Sequence, residues 1–180
     1  CRTRKTCAKR LHALPAFWKV TANATEQGAE MRIIEIGDAS GQVIAPDWLI
    51  KAETVHRQLR PGLPADYAGR MAQVLAAGAR MCVAVEAGTG TEEVICVAVW
   101  RVIENTYEGR RLYIDDLVSD ESRRSRGAGK AMLDWLEARA RQLGCGMLAL
   151  DSGVQRDRAH HFYFREGMHV FAFSFRKGLK

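Results

Sequence analysis

The sequence predicts an α/β fold in which helices cover both faces of a mixed β-sheet. Three observations support this: two segments with helical spacing near the start, strand-like runs joined by glycine-containing turns, and strand–helix–strand units toward the end. The strand–helix–strand units indicate that part of the sheet is parallel, because such crossovers connect parallel neighbours. The 180 residues fit one domain and a tail.

The first predicted elements are one strand and two helices. Residues 31–36 alternate enough for a strand, and residues 47–59 place apolar side chains near helical spacing. The segment 60–64 contains two prolines and a glycine, which end this helix. Pro64 suits the first turn of a second helix, which we expect to extend to about Ala77.

A meander of three strands follows the helices. The strand-like runs cover residues 81–86, 94–103 and 111–118, and the middle run is rich in valine and isoleucine. Turns at 87–91 and 105–109 contain glycine and are short. Strands joined by such short turns are antiparallel neighbours.

The last predicted elements alternate between helix and strand. We expect a helix over residues 127–143, a strand over 147–150, a helix over 156–166 and a final strand over 168–175. The complete predicted order is β-α-α-β-β-β-α-β-α-β.

Positive charge is concentrated at the start of the chain, whose net charge is +6. Residues 1–30 contain six of the 27 basic residues but two of the 21 acidic ones. We interpret residues 1–30 as a basic tail or a segment outside the domain, with the domain over 31–180. The domain is nearly balanced in charge, and the tail has few aromatic residues, so binding to nucleic acid is not favoured.

The five cysteines form no CxxC pair and no zinc-site spacing, so we expect no metal. Cys82 and Cys96 lie in apolar runs and are interpreted as small core residues. An odd cysteine count fits a reducing compartment, and we expect a cytoplasmic protein. The longest clean apolar run, Val94–Trp100, has the length of a strand and is too short to span a membrane.

A candidate phosphate-binding segment joins the strand at 111–118 to the next helix. Glycines allow close approach of the backbone to a ligand, and a helix start offers unpaired amides and the positive end of its dipole. We call this segment the phosphate cradle; its residues are Arg124, Ser125, Arg126, Gly127, Ala128, Gly129 and Lys130.

The cradle motif by itself also fits a helix start with two packing glycines and exposed arginines. A dinucleotide-binding fingerprint is disfavoured, because no third glycine follows Gly129 at the required spacing. A P-loop is disfavoured as well, because no glycine stands five residues before Gly129 and Lys130.

Three linked motifs stand in the second half of the sequence: the acidic strand Ile114–Val118, the RxxGxG sequence of Arg124–Gly129, and the AxxFYxxxGM sequence of Ala159–Met168. Together they resemble the GNAT superfamily of N-acetyltransferases. The resemblance covers residues 31–180 and is strongest over 111–170. It implies the acyl-CoA N-acyltransferase fold, whose mostly antiparallel sheet has two splayed, parallel central strands.

The resemblance also implies a cofactor and a reaction. Acetyl-CoA is expected between the splayed strands 111–118 and 147–150, as the donor of an acetyl group to a primary amine of a small molecule or peptide. The backbone of Leu117 and Val118 would pair with the pantetheine arm, and the cradle amides would hold the pyrophosphate. Arg156 stands where the family often has an asparagine that contacts the cofactor arm.

Tyr163 is the candidate general acid. By resemblance it takes the position of a tyrosine beside the sulfur of CoA, where a phenol protonates the departing thiolate. The alternative is an aromatic core residue, because Phe162, Tyr163 and Phe164 are consecutive and a helix must bury some of them.

Asp115 and Asp116 are the candidate bases, since they interrupt an otherwise apolar strand. Consecutive strand residues point to opposite faces, so we expect one of them to face the acceptor. The family pattern favours Asp115 near the amine and a structural role for Asp116. Both could instead pair with arginines or cap loops, or recognise a cationic acceptor.

Two alternatives to an acetyltransferase remain open. One is a GNAT-like module that binds acetyl-CoA without turnover, as a sensor or interaction domain; the other uses the basic tail to hold nucleic acid. We expect loops 47–64 and 104–110, including Trp48 and Tyr107, to wall the acceptor pocket. The apolar segment Val170–Phe175 could pair across a homodimer.

Overall fold

Six strands form one mixed sheet in the computed structural model, which describes residues 18–20, 31–87 and 91–179. They follow the order β1-β2-β3-β4-β5-β6 across the sheet, and neighbours are antiparallel except for the parallel pair of β5 and β6. The predicted α/β class and mixed sheet are therefore confirmed. The strands are β1 (Trp18–Val20), β2 (Met31–Glu35), β3 (Arg80–Ala87), β4 (Glu92–Asn105), β5 (Gly109–Ser119) and β6 (Met147–Leu150).

Within the described residues, four α-helices connect these strands in the predicted order. They are α1 (Pro46–Leu59), α2 (Tyr67–Ala76), α3 (Ala128–Gln142) and α4 (Asp157–Arg165). The predicted start of α2 at Pro64 is wrong. The helix begins after Asp66, whose side chain accepts a hydrogen bond of 2.9 Å from the amide of Gly69 and so caps the first turn. The proline at a helix start is instead Pro46 in α1.

The centre of the sheet is buried on both faces, because α1 and α2 cover one face and α3 covers the other. Val97 and Val99 of β4 belong to the apolar cluster beneath α1 and α2. Trp100 belongs to the opposite cluster and meets Trp135 of α3 edge to face, with ring centroids 6.3 Å apart. Such an aromatic pair stabilises a fold by about 0.5–1.5 kcal/mol beyond the contribution from burying its apolar surface.

The two strand cysteines occupy this buried centre. Cys82 and Cys96 have no exposed surface and belong to the cluster beneath α3, as the sequence predicts. Burial raises the pKa of both thiols, so they stay protonated at neutral pH.

The predicted final strand is wrong. Residues 168–175 lie outside regular secondary structure, and the side chains of Val170, Phe171, Phe173 and Phe175 are exposed. Aromatic and β-branched residues favour a strand only where a neighbour completes the backbone hydrogen bonds. The edge strand β6 has four residues, and no other strand of the described chain pairs with its outer edge. Pairing of this segment across a homodimer stays a prediction.

The proposed N-terminal tail falls mostly outside the described residues. Of residues 1–30, Trp18–Val20 forms β1 and pairs antiparallel with β2. Among the described residues, no helix has both the length and the apolar character needed to cross a membrane.

Candidate functional site

Asp115 and Asp116 lie at a bulge of β5. Val99 of β4 is opposite Asp116, and the next residue, Trp100, is opposite Ile114, so Asp115 has no direct partner. A bulge interrupts the alternation of side chains between the two faces. Asp115 and Asp116 therefore both line the same cavity. The expectation that one of them faces the acceptor stays a prediction.

Both oxygens of Asp116 are occupied. His56 Nε2 lies 3.0 Å from Oδ2, and Arg60 Nε donates to Oδ1 at 2.6 Å. Burial raises the pKa of Asp116, but these hydrogen bonds and the charge of Arg60 outweigh that effect and hold the pKa below its ordinary value. Asp116 is therefore a firmly ionised carboxylate.

His56 extends this contact into the protein interior. It is 1% exposed, and it is the buried polar residue of the described chain. Its Nδ1 lies 3.0 Å from the hydroxyl of Tyr67, whose pKa is raised mainly by burial. The two ring nitrogens of His56 thus each face one polar partner, the Tyr67 hydroxyl at Nδ1 and the Asp116 carboxylate at Nε2. We call Tyr67, His56 and Asp116 the buried chain.

Asp115 is held on one side only. Arg101 Nε and Nη2 both donate to Oδ2, at 2.8 and 2.6 Å, and Arg60 Nη2 donates to the backbone oxygen of Asp115 at 3.2 Å. Oδ1 of Asp115 accepts no hydrogen bond from the described residues. Asp115 lines the cavity, so this unpaired oxygen belongs to a cavity-lining carboxylate.

The cavity lies between the α1–α2 connection and strands β4 and β5, and has a volume of about 890 Å³. The segment from Leu59 to Pro64 forms part of its wall. Trp48 and Tyr107, which the sequence places in the acceptor wall, are not among its lining residues. Trp48 instead lies against Arg32 and Lys51.

The phosphate cradle follows the end of β5. Ser125 and Gly127 have positive φ angles of 68° and 86°, and Ala128 begins α3. No side chain caps this helix start. The first intrahelical backbone bond runs from the amide of Ala131 to the carbonyl of Gly127. The preceding amides are thus free of intrahelical partners, as an anion-binding helix start requires.

The charged side chains of the cradle differ in their partners. Arg124 pairs with Glu121 at 2.6 Å, and Lys130 pairs with Asp134 at 2.9 Å and more loosely with Glu166. Arg126 is exposed and pairs with no carboxylate in the described chain. Local acidic groups therefore partly offset the first two cations but not the third.

Gly129 allows the start of α3 to approach β5 and α4. A Cβ at this position would lie 3.2 Å from Ser119 Oγ and 3.7 Å from the ring of Phe162. The second glycine of the motif thus sets the distance between the cradle and the helix that carries Tyr163.

Tyr163 lies outside the apolar clusters, whereas its neighbour Phe162 packs against the one beneath α3. The two rings meet edge to face at 5.3 Å. Burial, and secondarily the thiol of Cys96, raises the pKa of Tyr163 above its ordinary value. Its phenol is consequently protonated at neutral pH and able to donate.

Leu117 and Val118 lie where β5 loses its parallel neighbour. Pairing between β5 and β6 ends at Ile114 and Leu150, while pairing with β4 continues to Ser119. The β6-facing edge of Leu117 and Val118 is therefore open within the described chain. The predicted splay of these two strands agrees with this register.

Some of these site residues could be predicted from the sequence and others could not. Consecutive motifs indicate the cradle, Tyr163 and the two aspartates, and the structure groups them around β5. His56 was missed, because its partners Tyr67 and Asp116 stand 11 and 60 positions away and one histidine in a helix gives no pattern.

This arrangement of sheet, cradle and splayed strands defines the class of protein. Residues 48–168 match the Acetyltransferase (GNAT) family, and the chain belongs to this family.

Two curated proteins are similar to part of the chain. The uncharacterized N-acetyltransferase YhdJ of Bacillus subtilis is 40% identical over 84 residues, which cover 46% of this chain and 58% of that protein. The aminoalkylphosphonate N-acetyltransferase of Salmonella typhimurium is 38% identical over 66 residues, which cover 37% and 43% of the two chains. The matches thus span less than two thirds of either relative.

Among solved structures, the aminoglycoside N-acetyltransferase AAC(6')-Iy in complex with CoA has the same fold. It superposes with a TM-score of 0.68 at 18% identity and covers 86% of this chain and 99% of its own.

Proposed function

We propose that this protein transfers an acetyl group from acetyl-CoA to a primary amine by direct attack of the amine on the thioester. One observation carries the proposal: β5 connects an open carboxylate oxygen, an unpaired backbone edge and a phosphate cradle in sequence. Membership of the GNAT family supports it. The structure of a similarly folded acetyltransferase with CoA supports the choice of cofactor.

The cofactor would lie along the open side of β5. The free amides at the start of α3 suit a pyrophosphate, because they present several donors at the positive end of a helix dipole. The unpaired edge at Leu117 and Val118 suits the amides of a pantetheine arm. These residues therefore fit the two hydrogen-bonding parts of CoA in the order in which the molecule carries them.

Asp115 would receive the amine. An alkylammonium ion has a pKa of about 10, so it must lose a proton before it attacks a carbonyl carbon. Oδ1 of Asp115 is the open acceptor in the cavity, whereas both oxygens of Asp116 are occupied. We therefore assign Asp115 to binding the amine and accepting its proton, directly or through water. Asp116 fixes the bulge through His56 and Arg60.

Tyr163 would donate the proton that the departing thiolate needs. Its raised pKa keeps the phenol protonated, and the residue before it on α4, Phe162, lies against Gly129 of the cradle. Attack of the amine forms a tetrahedral intermediate. Its collapse would break the carbon–sulfur bond, and the thiolate would take the proton of Tyr163. The second proton, which the nitrogen loses as the amide forms, would return to the Tyr163 oxygen through water.

The acceptor is a small molecule or peptide that carries a primary amine. An aminoalkylphosphonate, the acceptor in the name of the Salmonella relative, is one such molecule. The cavity beside Asp115 has room for a small acceptor.

Tyr163→Phe tests the assignment of the acid. We expect the rate of thiol release with an accepted amine to fall about 100-fold, because a positioned acid contributes 10²–10⁴-fold. CoA affinity, measured by calorimetry, should stay unchanged. Tyr107→Phe is the control, since Tyr107 is 64% exposed and remote from the cavity lining.

An unchanged rate in Tyr163→Phe would remove Tyr163 as the acid. Tight CoA binding without turnover of any amine in a broad panel would favour a module that binds acetyl-CoA without catalysis.

A further inference from the structure

Arginines and aspartates line the cavity beside Asp115 in equal number, but not all of them are paired. Three arginines and three aspartates line it: Arg60, Arg70, Arg101, Asp66, Asp115 and Asp116. Asp66 is committed to the cap of α2, where it accepts from the amide of Gly69. Asp116 and Asp115 form ion pairs with Arg60 and Arg101, whereas no ion pair joins Asp66 to an arginine of the described chain.

Arg70 is the unmatched cation. It is exposed on α2, and its hydrogen bond in the described chain is a long one of 3.4 Å from Nη1 to Gln73 Oε1. No carboxylate of the described residues pairs with it. A guanidinium group in this position at a cavity wall is available to a ligand.

Arg60 and Arg101 have donors to spare as well. Arg60 uses Nε and Nη2 on the Asp115–Asp116 bulge, and Arg101 uses Nε and Nη2 on Asp115. Nη1 of each has no hydrogen-bond partner in the described chain. Guanidinium groups fixed by carboxylates keep their orientation, so these remaining N–H groups form a rigid donor edge.

Asp115 lies on β5 and Arg70 on α2, so they stand on two different elements of the cavity wall. The open Oδ1 of Asp115 suits an ammonium group, while Arg70 and the spare edge of Arg60 suit an anion. A molecule with several amines and no anion would place positive charge against these arginines, which disfavours its binding.

We propose that the acceptor is zwitterionic: a small primary amine that also carries a carboxylate or a phosphonate. Its anionic group binds Arg70 and the free edge of Arg60, which orients the amine toward Asp115. This inference rests on the proposed acetyl transfer and names the substrate class of that site. Arg70 is the residue that selects the anionic group.

The test compares acceptors that share an amine but differ in the anion. Glycine and aminomethylphosphonate are matched with methylamine, and spermidine represents polycations. For the unaltered protein, we expect kcat/KM for the better zwitterion to exceed that for methylamine and for spermidine about tenfold or more. Preference between glycine and aminomethylphosphonate then identifies the anion as a carboxylate or a phosphonate.

Arg70→Gln should remove most of this preference. We expect a lower kcat/KM for the zwitterion, mainly through a raised KM, and an unchanged value for methylamine. Arg70→Lys should restore part of it, because the charge is kept while the fork of donors is lost. Arg141→Gln is the matched control, because it removes the same charge from the 74% exposed side chain of Arg141 on α3.

Three results would overturn the inference. Equal or better turnover of methylamine or spermidine would exclude a zwitterionic acceptor and leave acetyl transfer standing. Loss of activity in Arg70→Gln toward all amines alike would indicate a structural role for Arg70. Absence of turnover with every amine, despite CoA binding, would overturn the proposed function and this inference together.

Discussion

The phosphate cradle follows the end of β5 and the buried chain reaches β5 at Asp116, but the two are built from different parts of the protein. The cradle consists of consecutive residues whose backbone amides and glycine conformations form the site. The buried chain consists of side chains from α1, α2 and β5, far apart in the sequence. Side-chain substitutions that leave the backbone conformation unchanged should therefore have little effect on ligand binding by the cradle. Loss of one side chain of the buried chain should leave its hydrogen-bond partners unpaired and lower the stability of the fold.

The largest effect is expected for His56→Ala. The change opens a cavity and leaves the hydroxyl of Tyr67 and one oxygen of Asp116 without their partner. We expect the free energy of unfolding to fall by about 2–4 kcal/mol, measured by urea denaturation. CoA affinity should stay unchanged, because the cradle makes no hydrogen bond to His56.

Tyr67→Phe provides the comparison within the same chain. It removes one hydroxyl and should lower the free energy of unfolding by about 1 kcal/mol. The double variant should lose less than the sum of the single losses, because both changes break the same hydrogen bond. Additive losses would show that the two residues act independently.

The same contrast explains how much of the molecule the sequence predicts. The cradle, the helix carrying Tyr163 and the order of the described helices follow from local motifs and periodicity. The bulge at Asp115 could not be predicted from the sequence, because a strand pattern assumes that side chains alternate regularly between the two faces. The extra residue on β5 becomes visible only in the pairing of β5 with β4. The role of His56 depends on partners that are distant in the sequence. The segment after α4 has the apolar pattern of a strand, but no strand of the described chain pairs with it.

Gly127→Ala tests how much the backbone conformation of the cradle contributes to CoA binding, because it leaves the charges of the cradle unchanged. The φ angle of 86° at Gly127 disfavours any L-residue, so we expect a loss of about 1–2 kcal/mol of stability. Relaxation of the strained loop would turn the amides away from the pyrophosphate. We expect CoA affinity, measured by calorimetry, to fall about tenfold as a consequence.

Gly144→Ala is the control for strain alone. Gly144 ends α3 with a φ of 72° and, like Gly127, has open space around its Cβ position. It should lose similar stability but keep its affinity for CoA. Equal losses of affinity in both variants would contradict a specific role for the cradle backbone.

A smaller effect is expected from the arginines of the cradle. Arg126→Gln should weaken CoA binding about threefold, since an exposed cation contributes modestly to an anion site. Arg124→Gln should weaken it less, because Glu121 already offsets that charge. The difference should shrink as salt is raised in a titration series, since salt screens exposed charges. A stronger effect at Arg124 would contradict the assignment of partners.

The smallest effect is expected in the acid dependence of stability. The pKa of Asp116 is lower in the folded protein than its ordinary value, so the unfolded chain binds this proton more readily. The resulting stabilisation is present above the unfolded pKa of about 3.9 and disappears as the pH falls through the folded value. Asp116→Asn should therefore show a shallower loss of unfolding free energy between about pH 6 and about pH 3, measured by urea denaturation.

Asp134→Asn, at an exposed pair with Lys130, should leave that slope nearly unchanged, because solvent screens the pair. If the two variants have the same slope, the hydrogen bonds from His56 and Arg60 do not depress the pKa of Asp116, and the buried chain is a packing feature without an electrostatic role.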